Sequence, residues 1–232
     1  MQANNRVDFD LYLITDRRQC GTRDLVACVE QALRGGARAV QLREKDLSTR
    51  ERFEFGTALR RLTSEFRAKL LINGDSALAL AIGADGVHLP QDSLPARVCR
   101  KLIGPEMLIG VSTHTIEEAR EAADDGADFI TYGPVYHTPS KVQYGEPVGL
   151  HSLRAACDVV GLPVFALGGL KADNLEQVLS AGAAGVAMIS AILGENDLEA
   201  AASRLVGELR IRRIRMMSEE RRITNGGAVG AP

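Results

Sequence analysis

The chain has 232 residues, of which 45% are hydrophobic and 25% are charged, and its formal net charge is −2 at pH 7. This length and composition predict one globular domain with a full hydrophobic core, and the charge gives no sign of a nucleic-acid partner. No apolar run approaches the roughly 18 residues needed to cross a membrane, and the N-terminus lacks a signal-peptide pattern. Four cysteines without metal-ligand spacing predict free thiols in a reducing compartment, and therefore a cytoplasmic protein.

Short apolar runs alternate with amphipathic segments along most of the chain. This alternation predicts parallel strands joined by crossover helices. Eight such units in a chain of this length predict a single α/β domain, a closed (β/α)8 TIM barrel. The predicted strands are 11–14, 39–42, 70–72, 85–88, 108–111, 129–132, 164–167 and 186–189, and the predicted helices include 24–34, 48–67, 116–124, 175–181 and 198–213.

A weak internal repeat supports the barrel. The pattern G-A-x-x-[VI] occurs at 36–40, 83–87, 126–130 and 182–186, each time between a predicted helix and an even-numbered strand. Glycine at such a point suits a helix C-terminus that enters a left-handed turn. The repeat therefore predicts units of two strands and two helices. The alternative is a chance recurrence of Gly-Ala pairs in a glycine-rich chain.

The C-terminal end differs from the rest in composition. Residues 210–222 are dense in charge, and residues 224–232 offer little to pack. We therefore predict a barrel domain of residues 1–213, whose last helix frays into a charged, disordered tail of residues 214–232. Its arginines are more easily explained as a solvated helix face than as an anion site.

Residues after the predicted strands are the candidates for chemistry, because TIM barrels place their active sites at the C-terminal ends of the strands. After the second strand, alternation places Gln41, Arg43 and Lys45 on one side of an extended segment. Two cations and an amide are suited to bind an anion, and arginine can contact two oxygens at once. Together with Lys141 they form the first predicted anion subsite, and a charged rim is the alternative.

A second group of small and polar residues follows the sixth, seventh and eighth strands. It comprises Thr138, Ser140, Lys141, Gly168, Gly169, Ile189 and Ser190. Glycines let backbone N–H groups approach an anion closely, and the start of a helix after the eighth strand can bind a phosphate. The glycine pair and the amides after strand eight form the second predicted subsite. Two subsites indicate two phosphorylated substrates or one long bisphosphate, whereas a surface loop and a Gly-Gly turn are the plain alternatives.

Seven motifs, in order from about residue 11 to residue 205, resemble the thiamine-phosphate synthase family. They are Tyr12-Leu-Ile-Thr-Asp16, Gln41-x-Arg-x-Lys45, Ile72-Asn73, Gly86-Val-His-Leu89, Gly110-Val-Ser-x-His114, Gly133-Pro-Val-Tyr-x-Thr-x-x-Lys141 and Gly168-Gly169. The resemblance implies a transferase of thiamine biosynthesis that couples hydroxymethylpyrimidine diphosphate to a thiazole phosphate. It also implies that Mg²⁺ assists departure of the diphosphate, and that the thiazole nitrogen attacks the resulting pyrimidine carbocation.

The resemblance also implies roles for individual residues. The pyrimidine diphosphate would be held by Gln41, Arg43, Lys45, Asn73, Ser112 and Lys141, and the thiazole phosphate by Thr138, Ser140, Gly168, Gly169, Ile189 and Ser190, with Tyr12 also at the substrate site. Arg43, Lys45, Ser112 and Lys141 are the catalytic candidates, because preplaced cations and donors stabilise a diphosphate as it gains charge. A homodimer formed through the outer helices is a further expectation.

The two positions of the family's Mg²⁺-binding aspartates hold other residues here. Gly74 and Ser93 occupy them, and the nearest carboxylates, Asp75 and Asp92, stand one residue away. A hard cation prefers anionic oxygen ligands, so Asp75 and Asp92 are the candidate metal ligands. A shift of one residue usually redirects a side chain, and the sequence therefore leaves the Mg²⁺ site open.

Two other functions remain as alternatives. The Asn73-Gly74 pair and the His88-Leu-Pro motif resemble the thiazole tautomerases, in which His114 would carry a proton. A barrel that binds thiazole phosphate or thiamine phosphate without turnover is the third. The retained cations favour the synthase, since a tautomerase has no diphosphate to hold. His88 is predicted to be packed or to support the site, and the other two histidines to lie on the surface.

Overall fold

The computed structural model describes residues 6–138 and 146–226. Its eight strands are all parallel and close into a barrel in sequence order, which confirms the predicted (β/α)8 architecture. The strands are β1 (Leu11–Ile14), β2 (Ala39–Leu42), β3 (Lys69–Asn73), β4 (Gly86–Leu89), β5 (Leu108–Thr113), β6 (Phe129–Tyr132), β7 (Val164–Leu167) and β8 (Gly185–Met188). The helices are α1 (Leu25–Arg34), α2 (Thr49–Glu65), α3 (Ser76–Ile82), α4 (Ala96–Ile103), α5 (Ile116–Asp124), α6 (Gly149–Val159), α7 (Leu175–Ser180), α8 (Ser190–Leu193) and α9 (Leu198–Gly226).

The last helix is longer than the sequence pattern indicated. It continues past residue 213 to Gly226, so residues 214–226 are helical where a disordered tail was expected. The segment is rich in arginine, glutamate and methionine, which have high intrinsic helix propensity. The division into a barrel of residues 1–213 and a tail of 214–232 stays a prediction. In the described parts of the chain, we find no helix with the length and apolar character of a membrane span.

The Gly-Ala repeat marks four helix ends of the same construction. Gly36, Gly83, Gly126 and Gly182 all have positive φ. At the third copy, the Gly126 N–H donates to the Ala123 carbonyl and the next N–H, of Ala127, donates to Ala122. This pair of bonds is the Schellman motif, which satisfies the last carbonyls of a helix. The predicted left-handed turns are therefore confirmed.

Aromatic side chains close the lower, N-terminal end of the barrel interior. Phe9 lies before β1, and its ring centroid is 5.1 Å from that of Phe165 and 5.6 Å from those of Tyr12 and Phe129. All four rings are buried. Truncation of a core aromatic residue costs about 3–5 kcal/mol, so this cluster is a strong stabilising floor. The polar side chains of the barrel interior lie above this cluster, toward the C-terminal ends of the strands.

Replacement of Gly126 by alanine tests the helix-end motif. Gly126 has a φ of +86° and nothing within 4 Å of the position of an added Cβ, so the substitution meets only the left-handed backbone penalty. We expect Gly126→Ala to lower the free energy of unfolding by about 1–2 kcal/mol in urea denaturation. Gly161→Ala is the control, because Gly161 also has open space but lacks a positive φ. Equal effects of the two substitutions would contradict this explanation.

Candidate active site

A chain of hydrogen bonds crosses the barrel interior directly above the aromatic floor. Gln41 Nε2 donates to the Tyr12 hydroxyl at 3.0 Å, and this hydroxyl lies 3.3 Å from His88 Nδ1. His88 Nε2 lies 3.0 Å from Ser112 Oγ and 3.4 Å from Thr131 Oγ1. The chain therefore links four strands, β1, β2, β4 and β5, to β6 through polar side chains.

The charge state of His88 limits how these bonds can be directed. Burial, with the positive charge of Arg43 as a smaller cause, lowers the pKa of His88 to about 3, so the ring is neutral. Burial likewise raises the pKa of Tyr12 far above its ordinary value. A neutral ring has one N–H and one acceptor nitrogen, so the ring donates at one of its two nitrogens, which face Tyr12 and Ser112, and accepts at the other.

The segment after β2 is fixed by its neighbours on both sides. The Arg43 N–H donates to Thr15 Oγ1 at 2.9 Å, and the Thr15 N–H donates to the Gln41 carbonyl at 2.9 Å. On the opposite side of the segment, buried Glu44 accepts hydrogen bonds from the Arg17 backbone and guanidinium. The grouping of Gln41, Arg43 and Lys45 on one side of the segment stays a prediction, because Lys45 lines a cavity together with Leu42 and Glu44 and without Gln41 or Arg43.

Arg43 and Lys45 keep their positive charges uncompensated. Arg43 is half-buried and Lys45 is exposed, and within residues 6–138 and 146–226 neither side chain forms an ion pair. Nearby Asp46 is instead held by Arg17 and Arg18, and the Arg17 guanidinium lowers the pKa of that carboxyl. The two cations are thus available to an anionic ligand.

The first cavity lies between the ends of β2 and β3 and has a volume of about 420 Å³. It is lined by Leu42, Glu44, Lys45, Arg52, Ile72, Asn73, Gly74, Asp75 and Leu78. The structure thereby brings together two predicted ligand residues, Lys45 and Asn73. It adds Arg52 from the first turn of α2, which the sequence analysis missed because a charged residue on a helix is ordinarily a solvated one.

The carboxylates near this cavity do not fit a Mg²⁺ site. Asp75 Oδ1 accepts the Leu78 N–H at 2.9 Å as the N-cap of α3, and its Oδ2 lies 3.3 Å from Arg52 Nη1. Asp92 is exposed and does not line the cavity. Across the described ranges, no cluster of three or more histidine, cysteine, aspartate or glutamate side chains could hold a metal ion. Mg²⁺ is usually held by one or two carboxylates together with waters and substrate phosphates. Here both carboxylate oxygens of Asp75 already have partners within the protein.

The glycine pair after β7 is required by the loop that follows β6. A Cβ on Gly168 would lie 2.5 Å from Pro134 Cβ, and a Cβ on Gly169 would lie 2.6 Å from the His137 carbonyl oxygen. Both glycines also have positive φ. The Val135 N–H donates to the Leu167 carbonyl at 2.8 Å, which holds the two loops together. The sequence predicted that these glycines let a ligand approach the backbone. The structure shows that the neighbouring loop after β6 already requires the absence of a side chain at both positions.

A second cavity, of about 780 Å³, opens beside these loops at the ends of β6, β7 and β8. Five predicted residues line it: Thr138, Gly168, Gly169, Ile189 and Ser190. Lys171 and Arg204 also line it and were missed, since neither stands at a strand end in the sequence. Ser140 and Lys141 lie outside the described residues.

The histidines differ in surroundings. His88 is buried, and His137 and His151 are exposed, as predicted. His114 is half-buried, its ring Nδ1 is hydrogen-bonded to the Gly133 carbonyl, and it lines neither cavity. Its backbone N–H donates to Glu118 Oε2 at 2.6 Å. These contacts tie His114 to the start of the β6 loop and to α5.

Comparison with known proteins agrees with this geometry. The family model described as thiamine monophosphate synthase matches residues 11–192. The chain belongs to this family. A relative from Geobacter sulfurreducens is 58% identical over 192 residues, which cover 83% of this chain and 90% of the relative. The thiamine-phosphate synthase of Moorella thermoacetica is 46% identical over 197 residues, covering 85% and 94% respectively.

A solved structure gives the same result. The thiamine phosphate pyrophosphorylase from Pyrococcus furiosus has a TM-score of 0.81 and 38% identity, over 88% of this chain and 96% of its own. The predicted family and the predicted transferase class are therefore confirmed. The tautomerase and the non-catalytic binder are not favoured, because the family model and these named relatives are synthases.

The neutrality of His88 predicts a pH dependence of stability. The folded-state pKa of about 3 lies below the ordinary value, so the unfolded chain binds a proton that the fold excludes. This contribution to stability is complete above pH ~6.5 and is lost as the pH falls from there toward 3. Between pH 7 and 4.5 we expect wild type to lose about 2–3 kcal/mol more than His88→Gln in denaturant titrations. Exposed His151→Gln is the control, and parallel losses in wild type and His88→Gln would contradict the assignment.

Proposed function

We propose that this chain couples hydroxymethylpyrimidine diphosphate to a thiazole phosphate, forming thiamine phosphate and diphosphate. One observation carries the proposal: two separate anion-suited cavities open at the same end of one barrel. The first contains Lys45 at the end of β2, and the second is lined by Gly168, Gly169 and Ser190. In the closed barrel only β1 stands between β8 and β2, so the two cavities flank one mouth. Family membership adds the substrate class.

The first subsite would hold the pyrimidine diphosphate. Arg43 and Lys45 supply uncompensated positive charge, and Asn73 lines the same cavity as Lys45. Ser112 adds a hydroxyl, whose oxygen lies 3.0 Å from His88 Nε2. As the carbon–oxygen bond to the diphosphate breaks, the bonding electrons pass to the leaving oxygen. Fixed cations and donors stabilise that charge more in the transition state than in the bound substrate. Lys141 is proposed for the same role.

Tyr12 and Gln41 would act below the substrate. Tyr12 is fully buried, and its hydroxyl is occupied by Gln41 and His88. We therefore assign Tyr12 to orienting these two side chains. Gln41 is proposed as a ligand of the pyrimidine diphosphate, although it is buried and does not line the first cavity. A fully hydrogen-bonded buried network of this kind restricts the side chains to one arrangement.

The second subsite would hold the thiazole phosphate. The lining residues Gly168, Gly169, Ile189 and Ser190 offer backbone N–H groups and one hydroxyl, and Thr138 offers another hydroxyl. Ser140 is proposed as a further ligand. Backbone amides and hydroxyls bind a phosphate without bringing charge close to the forming carbon–nitrogen bond. Bound there, the thiazole nitrogen would attack the carbon from which the diphosphate departs.

Other expectations remain predictions. The family resemblance implies Mg²⁺, but the engaged carboxylate of Asp75 and the exposed position of Asp92 do not fit such a site. We predict from the sequence alone that two copies pair through the outer helices and that the protein is cytoplasmic.

The direct test is formation of thiamine phosphate from the two purified substrates in the presence of Mg²⁺, with product measured by chromatography. Lys45→Ala should lower kcat/KM for the pyrimidine diphosphate about 10- to 100-fold, because it removes a charged partner of the diphosphate. Lys101→Ala is the control, since Lys101 is an exposed lysine of α4 outside both cavities. Absence of product in wild type would refute the proposed function, and unchanged kinetics in Lys45→Ala would refute the role of Lys45.

A further inference from the structure

We propose that the first cavity binds the diphosphate through Lys45 and Arg52 and needs no divalent cation to do so. The inference rests on the proposed function, and it concerns how this chain supplies positive charge where the family resemblance implies Mg²⁺. Both cations line the cavity of about 420 Å³ that also contains Asn73 and Gly74. The ligand class is a free or esterified diphosphate.

Among the described residues, the carboxylates that line the cavity already have partners within the protein and are not available to a metal ion. It is lined by two carboxylates, Glu44 and Asp75. Glu44 has a side chain only 2% exposed and is bound by Arg17. Asp75 uses one oxygen as a helix cap and turns the other to Arg52. The segment 139–145 adds none, because its sequence contains no aspartate, glutamate, histidine or cysteine.

Arg52 is held in place at the edge of this cavity. Its Nη1 lies 3.3 Å from Asp75 Oδ2, and its Nη2 donates to Thr49 Oγ1 at 3.2 Å. The Arg52 side chain is 24% exposed. A guanidinium has five N–H donors, so these contacts leave others for phosphate oxygens, and the fork geometry suits two oxygens at once.

The charge balance also agrees with replacement of a metal ion. An arginine paired with one aspartate has zero net charge, as does Mg²⁺ held by two carboxylates. Lys45 adds a positive charge that forms no ion pair with the described residues. An Arg–Asp pair with spare donors and an adjacent lysine can therefore bind a diphosphate that would otherwise need a metal ion.

The backbone at Gly74 is left-handed but leaves room for an added Cβ. Gly74 has a φ of +68°, and an added Cβ would lie 3.4 Å from Pro90 Cδ. Aspartate is among the residues that tolerate this conformation, so Gly74→Asp is a usable variant. It would add a carboxylate beside Arg52, and thereby increase the affinity for a divalent cation while weakening that for an unaccompanied anion.

The test compares initial rates of thiamine phosphate formation in chelator and in saturating Mg²⁺, for the full-length protein and four variants. We expect wild type in chelator to stay within about threefold of its Mg²⁺ rate. Arg52→Gln should fall about tenfold or more in chelator, with Arg52→Lys between the two, because a charged hydrogen-bonding partner is lost. Gly74→Asp should become dependent on Mg²⁺. Arg50→Gln is the matched control, because Arg50 lies in the same helix turn but has a 90% exposed side chain, and its one ion pair with the described residues is to Glu54.

A second measurement is independent of turnover. Inorganic diphosphate should bind wild type in chelator by titration calorimetry, and Arg52→Gln about tenfold more weakly, with thermal unfolding used to verify that the variant is folded. Product only in the presence of Mg²⁺, or equal diphosphate binding by wild type and Arg52→Gln, would overturn the inference. No product even with Mg²⁺ would refute the proposed function, and the calorimetry would then decide whether the cavity binds diphosphate without metal.

Discussion

The neutral, fully buried His88 is the constraint on which the site depends. A histidine inside a closed barrel is tolerated only if both ring nitrogens are hydrogen-bonded, and Tyr12 and Ser112 meet that need. Gln41 donates to the Tyr12 hydroxyl and thereby joins β2 to the same chain. The network thereby fixes polar side chains of several strands relative to one another. The site above it rests on a rigid polar layer, itself supported by the aromatic floor around Phe9.

Sorting of charge is the second organising feature. Acidic residues near the first cavity are bound by arginines: Glu44 and Asp46 by Arg17, and Asp75 by Arg52. Lys45 forms no such pair with the described residues. Paired carboxylates beside an unpaired lysine at the first cavity favour a highly anionic substrate and its leaving group. This explains how the barrel can attract a diphosphate although the whole chain has a net charge of −2.

Much of the fold could be predicted because it depends on local patterns. Strand β6 and helix α5 follow from apolar periodicity, and the turn at Gly126 follows from the need for positive φ. The pairing of Arg52 with Asp75 could not be predicted, because it joins a helix to the loop of a different strand through side-chain geometry. The steric need for Gly168 beside Pro134 was hidden for the same reason. Alternation along a strand predicts which side chains share a side, but it does not tell which neighbours neutralise them.

The central claim is that two phosphorylated groups occupy two cavities on either side of one barrel mouth. A crystal structure with thiamine phosphate and diphosphate bound together would test it most directly. The account predicts the phosphate of thiamine phosphate beside Gly168, Gly169 and Ser190, and the diphosphate beside Arg43, Lys45 and Arg52. Both ligands in a single cavity, or a diphosphate bound away from Lys45, would contradict it.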